Sequence, residues 1–287
     1  MKLAVFGEIL WDVFEKETRI GGAPFNFAAH SAKLGADVTL ISAVGNDALG
    51  DQAIVQAQNA GIHTHAIART AYPTGRCQVT LENGAPSYAL IEDVAYDHIP
   101  VPESALCQGD AFYFGTLAQR GAVSAAALRE LLKNNYRERF FDINIRQNYY
   151  SPESIDLSLR AATIFKVSRE ELGVCNLPGT PEEICRKTAK KYPNLKLILV
   201  TLDKDGAFVF DCACGKSCFA PQPKAKAIST VGAGDSFSAG FLVNYLSGKS
   251  MEECLSRATA LSDFVVTQLG AVPEYPPELY KRIVPHV

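Results

Sequence analysis

The chain alternates short, wholly apolar runs with stretches that are apolar on one helical face. Residues 2–8, KLAVFGE, are an apolar run that stops after a glycine, as a strand buried on both faces does. In 26–34, NFAAHSAKL, the apolar positions recur at helical spacing, and Gly35 follows as a C-cap. DVTLISAVG (37–45) is β-branched again, and 50–60 reads as a helix closed by Gly61. Further strands are predicted at 109–115, 139–145, 161–168 and 196–202, with helices at about 121–134, 181–191, 235–246 and 251–268. Strand alternating with helix predicts an α/β fold built on a predominantly parallel sheet.

Two stretches break this pattern. WDVFEKETRIGG (11–22) and TGRCQVTLENGAPSYALI (74–91) alternate apolar and polar positions between turn residues. They predict antiparallel strands with one solvated face, a small β-lid over the edge of the sheet. Such a lid would exclude water from a site, and its exposed edge makes a homodimer through the lid an expectation. With no internal repeat and no low-complexity linker, residues 1–287 read as one domain carrying lid segments at about 11–22 and 74–91.

Composition narrows the classes. Apolar residues are 47% of the chain, and the net charge of −3 comes without a block of like charges, so nucleic acid is not expected as a partner. Glu8 and Asp12 interrupt the N-terminal apolar run, and no stretch approaches the roughly 18 apolar residues of a membrane span, so neither export nor a membrane is expected. The cysteines at 77, 107, 175, 185, 212, 214, 218 and 254 read as reduced thiols of a cytoplasmic protein. Cys212, Cys214 and Cys218 lie in FVFDCACGKSCFAP, which reads as strand, turn and strand; their spacing fits no standard zinc pattern, and a hairpin is the plainer reading.

Two glycine clusters carry the candidate chemistry. In STVGAGDSFSAGFL (229–242), Gly232 and Gly234 let successive N–H groups turn into one concavity at the start of a helix, an arrangement that holds an anion. Asp235 beside it has the chemistry of a base for an incoming hydroxyl; the alternative is an ordinary helix N-cap. In IGGAPFNFAAH (20–30), Gly21 and Gly22 allow close backbone approach, Asn26 offers donor and acceptor, and Asp12 is a carboxylate suited to two sugar hydroxyls. The two GKS tripeptides are not P-loops, since Phe210 and Val243 stand where the required glycine would be, and no G-x-G-x-x-G follows the first strand.

Taken together, GGAPFNFAAHSAKLG and STVGAGDSF at the two ends resemble the signatures of the ribokinase-like (PfkB) carbohydrate kinases. AVGNDALGD (43–51), FDINIRQNYYS (141–151), KVSREEL (166–172) and VTLDKDGAFVF (200–210) resemble its intervening blocks in order. The resemblance implies a sheet with helices on both faces and ATP-dependent phosphorylation of a small-molecule sugar. It implies Asp235 as the base and the N–H groups of Gly232, Ala233, Gly234 and Asp235 as the anion hole. Asp12, Gly21, Gly22, Asn26, Asn144 and Arg146 would face the sugar. Ser168, Thr201, Asp203 and Gly206 would line the nucleotide pocket, and Glu171 would organise Mg²⁺ through water. Three positions depart from the family pattern. Ser229 replaces an aspartate that in relatives helps hold a monovalent cation, which puts potassium in question; Ser168 replaces an asparagine and Asp203 a glycine. The blocks look most like fructokinases, so an unphosphorylated hexose is favoured, with fructose first. The rivals are a phosphosugar acceptor using Arg146, a nucleoside clamped by Trp11 or Phe14, and a sugar sensor without turnover.

Overall fold

The computed structural model of the protein describes residues 1–82, 85–102, 109–221 and 227–285. Residues 83–84 of the predicted lid and Cys107 lie outside the described residues. Among these, nine strands form one sheet in the order β13-β12-β11-β10-β9-β8-β1-β4-β5. The strands are β1 (Lys2–Phe6), β4 (Asp37–Gly45), β5 (Ile67–Thr70), β8 (Gly109–Phe114), β9 (Tyr136–Asp142), β10 (Ile164–Ser168), β11 (Leu197–Thr201), β12 (Ala207–Asp211) and β13 (Lys216–Ala220). Every pair from β11 to β5 is parallel, with Leu3 opposite Val38 on one side and Ala111 on the other. The β11-β12-β13 edge is antiparallel, so the cysteine-bearing segment is a hairpin.

Alternation along each strand divides the core. Leu3, Val5, Val38 and Leu40 face one layer, with buried residues of the helices α1 (Ala23–Lys33), α2 (Ala48–Asn59), α6 (Ala233–Leu246) and α7 (Met251–Val266). Ala4, Phe6, Ile41 and Ala43 face the other, with α3 (Ala122–Leu131), α4 (Pro152–Ala161) and α5 (Pro181–Lys191). This is the three-layer arrangement that parallel strands buried on both faces require. Helix α6 has no solvated face over its middle, Asp235–Asn244 being buried throughout, because α1 and α7 cover what the sheet does not. Phe27 of α1 stacks on Tyr113 of β8 with ring centroids 3.8 Å apart, adding about 0.5–1.5 kcal/mol beyond burial and fixing α1 over the sheet.

The lid is a second sheet, β3-β2-β6-β7, of β2 (Leu10–Val13), β3 (Thr18–Gly21), β6 (Gly75–Glu82) and β7 (Ala85–Leu90). Its hairpins are antiparallel, but β2 and β6 pair in parallel, a correction to the all-antiparallel expectation. The reason is topological: two helices and three strands separate β2 from β6, and such a long connection lets the chain re-enter in the same direction. Three elements went unpredicted. Strand β5 is only four residues long, α8 (Pro277–Ile283) only seven, and α4 buries only Ile155, Ser158 and Leu159, a weak apolar face with Leu157 half-buried beside it. The strand predicted at 139–145 runs 136–142, because the chain turns at Asn144 with φ +38°.

Strand β1 leads outward to β4 and β5, and β8 starts the run in the other direction. The switch therefore lies between β1 and β8, and the crevice at their carboxyl ends is where an open parallel sheet binds ligands.

Candidate active site

A cavity of about 410 Å³ opens at that switch. Glu8 enters it from the end of β1, Asn144 and Arg146 from the turn after β9, and Lys166 from β10. Asp12, Phe14 and Arg19 come from the lid hairpin, with Cys77 and Leu90 from the other. Gly22 and Asn26 come from the start of α1, and Gly232, Gly234 and Asp235 from the start of α6. Two glycine clusters more than 200 residues apart in sequence thus meet at one spot.

Asp235 is the centre of this arrangement. It stands in the first turn of α6, buried, and its Oδ2 accepts a 2.8 Å hydrogen bond from Asn26 Nδ2. The N-cap of α6 is Gly232, and no side chain caps it, so the N-cap alternative for Asp235 falls. Burial pushes the Asp235 carboxyl up to about 6; the Asn26 bond opposes this, nearby Asp142 adds to it, and Lys166 and Arg146 oppose it. Asn26 Oδ1 is buried with no partner among the described residues, an acceptor left for a ligand's hydroxyl. Asp12 is likewise raised, to about 6, by burial, against the pull of Arg146 and Arg19.

The glycine turn is shaped by what it touches. Gly232 has φ +80°, and a Cβ there would lie 2.7 Å from the carbonyl oxygen of Ala271. Gly234 and Asp235 present first-turn N–H groups that no carbonyl of their own helix can reach. Ala233 is a partial correction: its N–H points back to Thr230 O at 3.3 Å, and the residue does not line the cavity. Gly21 is outside the wall too; it backs Asp12, whose Oδ2 would be 2.9 Å from a Cβ on it. Arg146 is exposed overall, turns into the cavity, and acts electrostatically on Glu8, Asp12 and Asp235 together.

Sequence reasoning missed two wall residues. Lys166 is 6% exposed, with Nζ 3.0 Å from Asp142 Oδ1 and 3.1 Å from where a Cβ on Gly234 would stand. Burial alone would lower the Lys166 pKa, but Asp142 and Glu171 outweigh it and hold it above the ordinary value, so the ammonium stays charged beside the glycine turn. Asp142 is held in turn by Ser238 Oγ at 2.9 Å and Tyr113 Oη at 3.3 Å. Glu8 is 3% exposed and is pushed by burial to about 7, despite hydrogen bonds from backbone N–H groups including that of Ala23. A lysine inside an apolar run (IFKVS) and an acid after a buried strand were the available signals.

The residues expected at the nucleotide lie apart from the cavity. Ser168 and Thr201 are register partners at the ends of β10 and β11, and Asp203 and Gly206 bound the turn that follows. Asp203 has φ +51°, a conformation glycine adopts freely and aspartate tolerates. Glu171 ties two strand ends together: Oε1 accepts from Ile145 N at 2.7 Å and Oε2 from Ser168 N at 2.9 Å. Each oxygen keeps a further lone pair, and Glu170 and Asp203 share a hydrogen bond nearby, which raises the Glu170 pKa. Hard carboxylate donors of this kind suit Mg²⁺, which is ordinarily held by one or two carboxylates and phosphate oxygens rather than by an all-protein cage. Trp11 does not face the cavity; it anchors the lid through Nε1 to Leu49 O at 3.0 Å.

Residues 2–277 match the model of the pfkB family of carbohydrate kinases. The chain belongs to that family. An ATP-dependent 6-phosphofructokinase of Thermoanaerobacterium thermosaccharolyticum is 26% identical over 282 residues, covering 92% of this chain and 85% of that protein. The fructokinase of Vibrio cholerae, solved with fructose, ADP and calcium, superposes with a TM-score of 0.85 at 18% identity over 99% of both chains. The aminoimidazole riboside kinase of Salmonella enterica, solved with its riboside and an ATP analogue, gives 0.82 at 22% identity over 99% of this chain and 100% of that one. As a pfkB kinase the protein is a sugar kinase with the ribokinase-like fold. These relatives act on different acceptor classes, so likeness alone leaves the acceptor open. No helix among the described residues is long and apolar enough to cross a membrane.

Proposed function

We propose that this pfkB kinase transfers the γ-phosphoryl group of ATP to a hydroxyl of an unphosphorylated sugar, with fructose the first choice. The observation that carries the reading is the meeting of the Asp235 carboxylate, the Asn26 amide and the N-terminus of α6 inside one cavity. The sugar lies against Asp12 and Asn26, whose vacant Oδ1 accepts one of its hydroxyls. Asp235 takes the proton of the attacking hydroxyl, and its raised pKa matches it better to that task than an ordinary carboxylate. The N–H groups of Gly234 and Asp235, with the Lys166 ammonium, face the charge that spreads over the phosphoryl oxygens. Glu171 and the Asp203 side, together with the nucleotide's phosphates, would hold Mg²⁺, which would supply further charge neutralisation. The two sheets act as one catalytic unit with a lid whose edge offers a dimer contact.

Charge in the cavity favours a neutral acceptor. Arg19 is bonded to Glu17 at 2.5 Å, Lys166 is paired with Asp142, and Arg146 already faces Glu8, Asp12 and Asp235. A sugar phosphate would bring two more negative charges to a wall with no surplus of cations. ADP formation over a panel of sugars, sugar phosphates and nucleosides tests this. Fructose is expected to exceed fructose 6-phosphate by about tenfold or more in kcat/KM, the scale of one lost charged contact. A preference for the phosphate overturns the acceptor, and binding without turnover overturns the enzyme.

A further inference from the structure

Helix α1 carries Asn26, His30 and Lys33 at i, i+4 and i+7, one face of a helix. Asn26 reaches Asp235, and the other two reach residues 270–275, a strap that follows α7 and whose Gly270 and Ala271 line the cavity. His30 is fully buried, and burial lowers its pKa to about 4, so the ring is neutral. Ala271 O can only accept, so His30 Nε2 carries the hydrogen and donates to it at 2.9 Å, while Nδ1 accepts from the Tyr275 hydroxyl. Lys33 Nζ donates to Pro273 O at 3.0 Å and to Glu274 Oε1 at 2.7 Å, and lies over the Tyr275 ring. On its other side the strap supports the glycine turn, since Gly232 packs directly on Ala271.

In relatives the position of Ser229 helps hold a monovalent cation, and here a potassium ion does not fit. Ser229 Oγ is uncharged and accepts from Val231 N at 3.3 Å. Val266 O already accepts two N–H groups, from Ile228 at 2.7 Å and Ser229 at 3.1 Å. The carbonyls of Ala271 and Pro273 each already accept a hydrogen bond, from His30 and from Lys33. A cation would find no carboxylate at residue 229 and a fixed ammonium on the strap.

We propose that His30, Lys33 and Tyr275 are positioning residues that hold the anion-hole turn through the strap, and that turnover is therefore independent of potassium. The inference rests on the reading of that turn as the phosphoryl site. It is tested on the whole protein exchanged into tetramethylammonium chloride and titrated with KCl at constant ionic strength. Turnover of the best sugar is expected to change by less than about twofold, and melting in the presence of ATP by less than about 1 °C. Activation by about fivefold or more, or a potassium-specific rise in melting temperature of several degrees, overturns it. Lys33→Met is expected to lower kcat about tenfold, from misplacement of the turn, with the sugar KM within about twofold, and Lys33→Arg to restore most of the loss. An unchanged kcat in Lys33→Met overturns the positioning role. Should that variant not fold, Tyr275→Phe removes only the hydroxyl on His30; a several-fold loss of kcat at constant KM supports the role, and an unchanged kcat overturns it. Melting reads the strap without any sugar, so an inactive protein whose melting ignores potassium would sink the kinase reading and leave potassium independence standing.

Discussion

The Asp235 carboxylate is one of three acids that the cavity wall desolvates, and its hydrogen bond from Asn26 is what singles it out. A carboxyl raised to about 6 by burial is ionised at neutral pH yet basic enough to share a proton with an alcohol on its way to phosphorus. The sign follows directly: the base works when deprotonated, so kcat/KM should be flat above pH 7 and fall tenfold per pH unit well below about 6. Asp235→Asn keeps the shape and the reach to Asn26 while removing the proton acceptor. It is expected to lower kcat by about 10²–10⁴-fold, to abolish the acidic limb, and to leave sugar affinity by calorimetry within a few-fold. A variant retaining a tenth of the activity, or an acidic limb surviving in it, would remove Asp235 from the role.

At the scale of elements, how much was legible depended on where the signal was stored. The helix predicted at about 181–191 coincides with α5, whose signal is local in sequence: Thr180 and Glu183 form a capping box around Pro181. Strand β4 was read at 37–45 because both its faces are buried and every position is apolar or small past its first residues. The glycine turn and Asp235 were legible for the same local reason. Lys166 was not, since what gives it meaning is Asp142 on the neighbouring strand and Gly234 beyond it, contacts that only the assembled sheet creates. The parallel pairing of β2 with β6 was hidden likewise. The glycine turn allows a matched test. Gly232 and Gly248 share a left-handed backbone, at φ +80° and +75°, but a Cβ on Gly248 meets nothing within 4 Å while one on Gly232 strikes Ala271. Alanine at either position should cost about 1–2 kcal/mol in backbone energy, read in thermal unfolding, and Gly232→Ala should lose more again because its Cβ meets the Ala271 backbone. Only Gly232→Ala is expected to reduce kcat as well, by tenfold or more, as the strap and turn are forced apart. Equal kinetics in the two variants would show that the turn's position is not set at Gly232.

For the molecule as a whole, the same burial that tunes the site burdens the fold. Glu8 is raised from 4.5 to about 7, and Asp12 and Asp235 from 3.8 to about 6, burial being the first cause in each case. The folded state therefore binds protons more tightly than the unfolded chain at all three. Their favourable contribution is complete below the unfolded values, near pH 4, and is lost as pH rises through about 6 to 7, where the protein must carry buried charge. Glu8 is the one to remove, because it does not hold Asp235 and because glutamine preserves a carbonyl for the Ala23 N–H that Glu8 accepts. At pH 8 Glu8→Gln takes away a buried negative charge, and the melting temperature should rise by about 2–6 °C for a chain of this size. At pH 5 the wild-type carboxyl is already mostly protonated in the fold, and the gain should shrink to about 1 °C. A rise of equal size at both pH values would show that side-chain shape, not charge, is the cause. A fall at pH 8 would show that Arg146 and the backbone N–H groups more than compensate the ion, so that the wall is built to keep Glu8 charged beside the sugar.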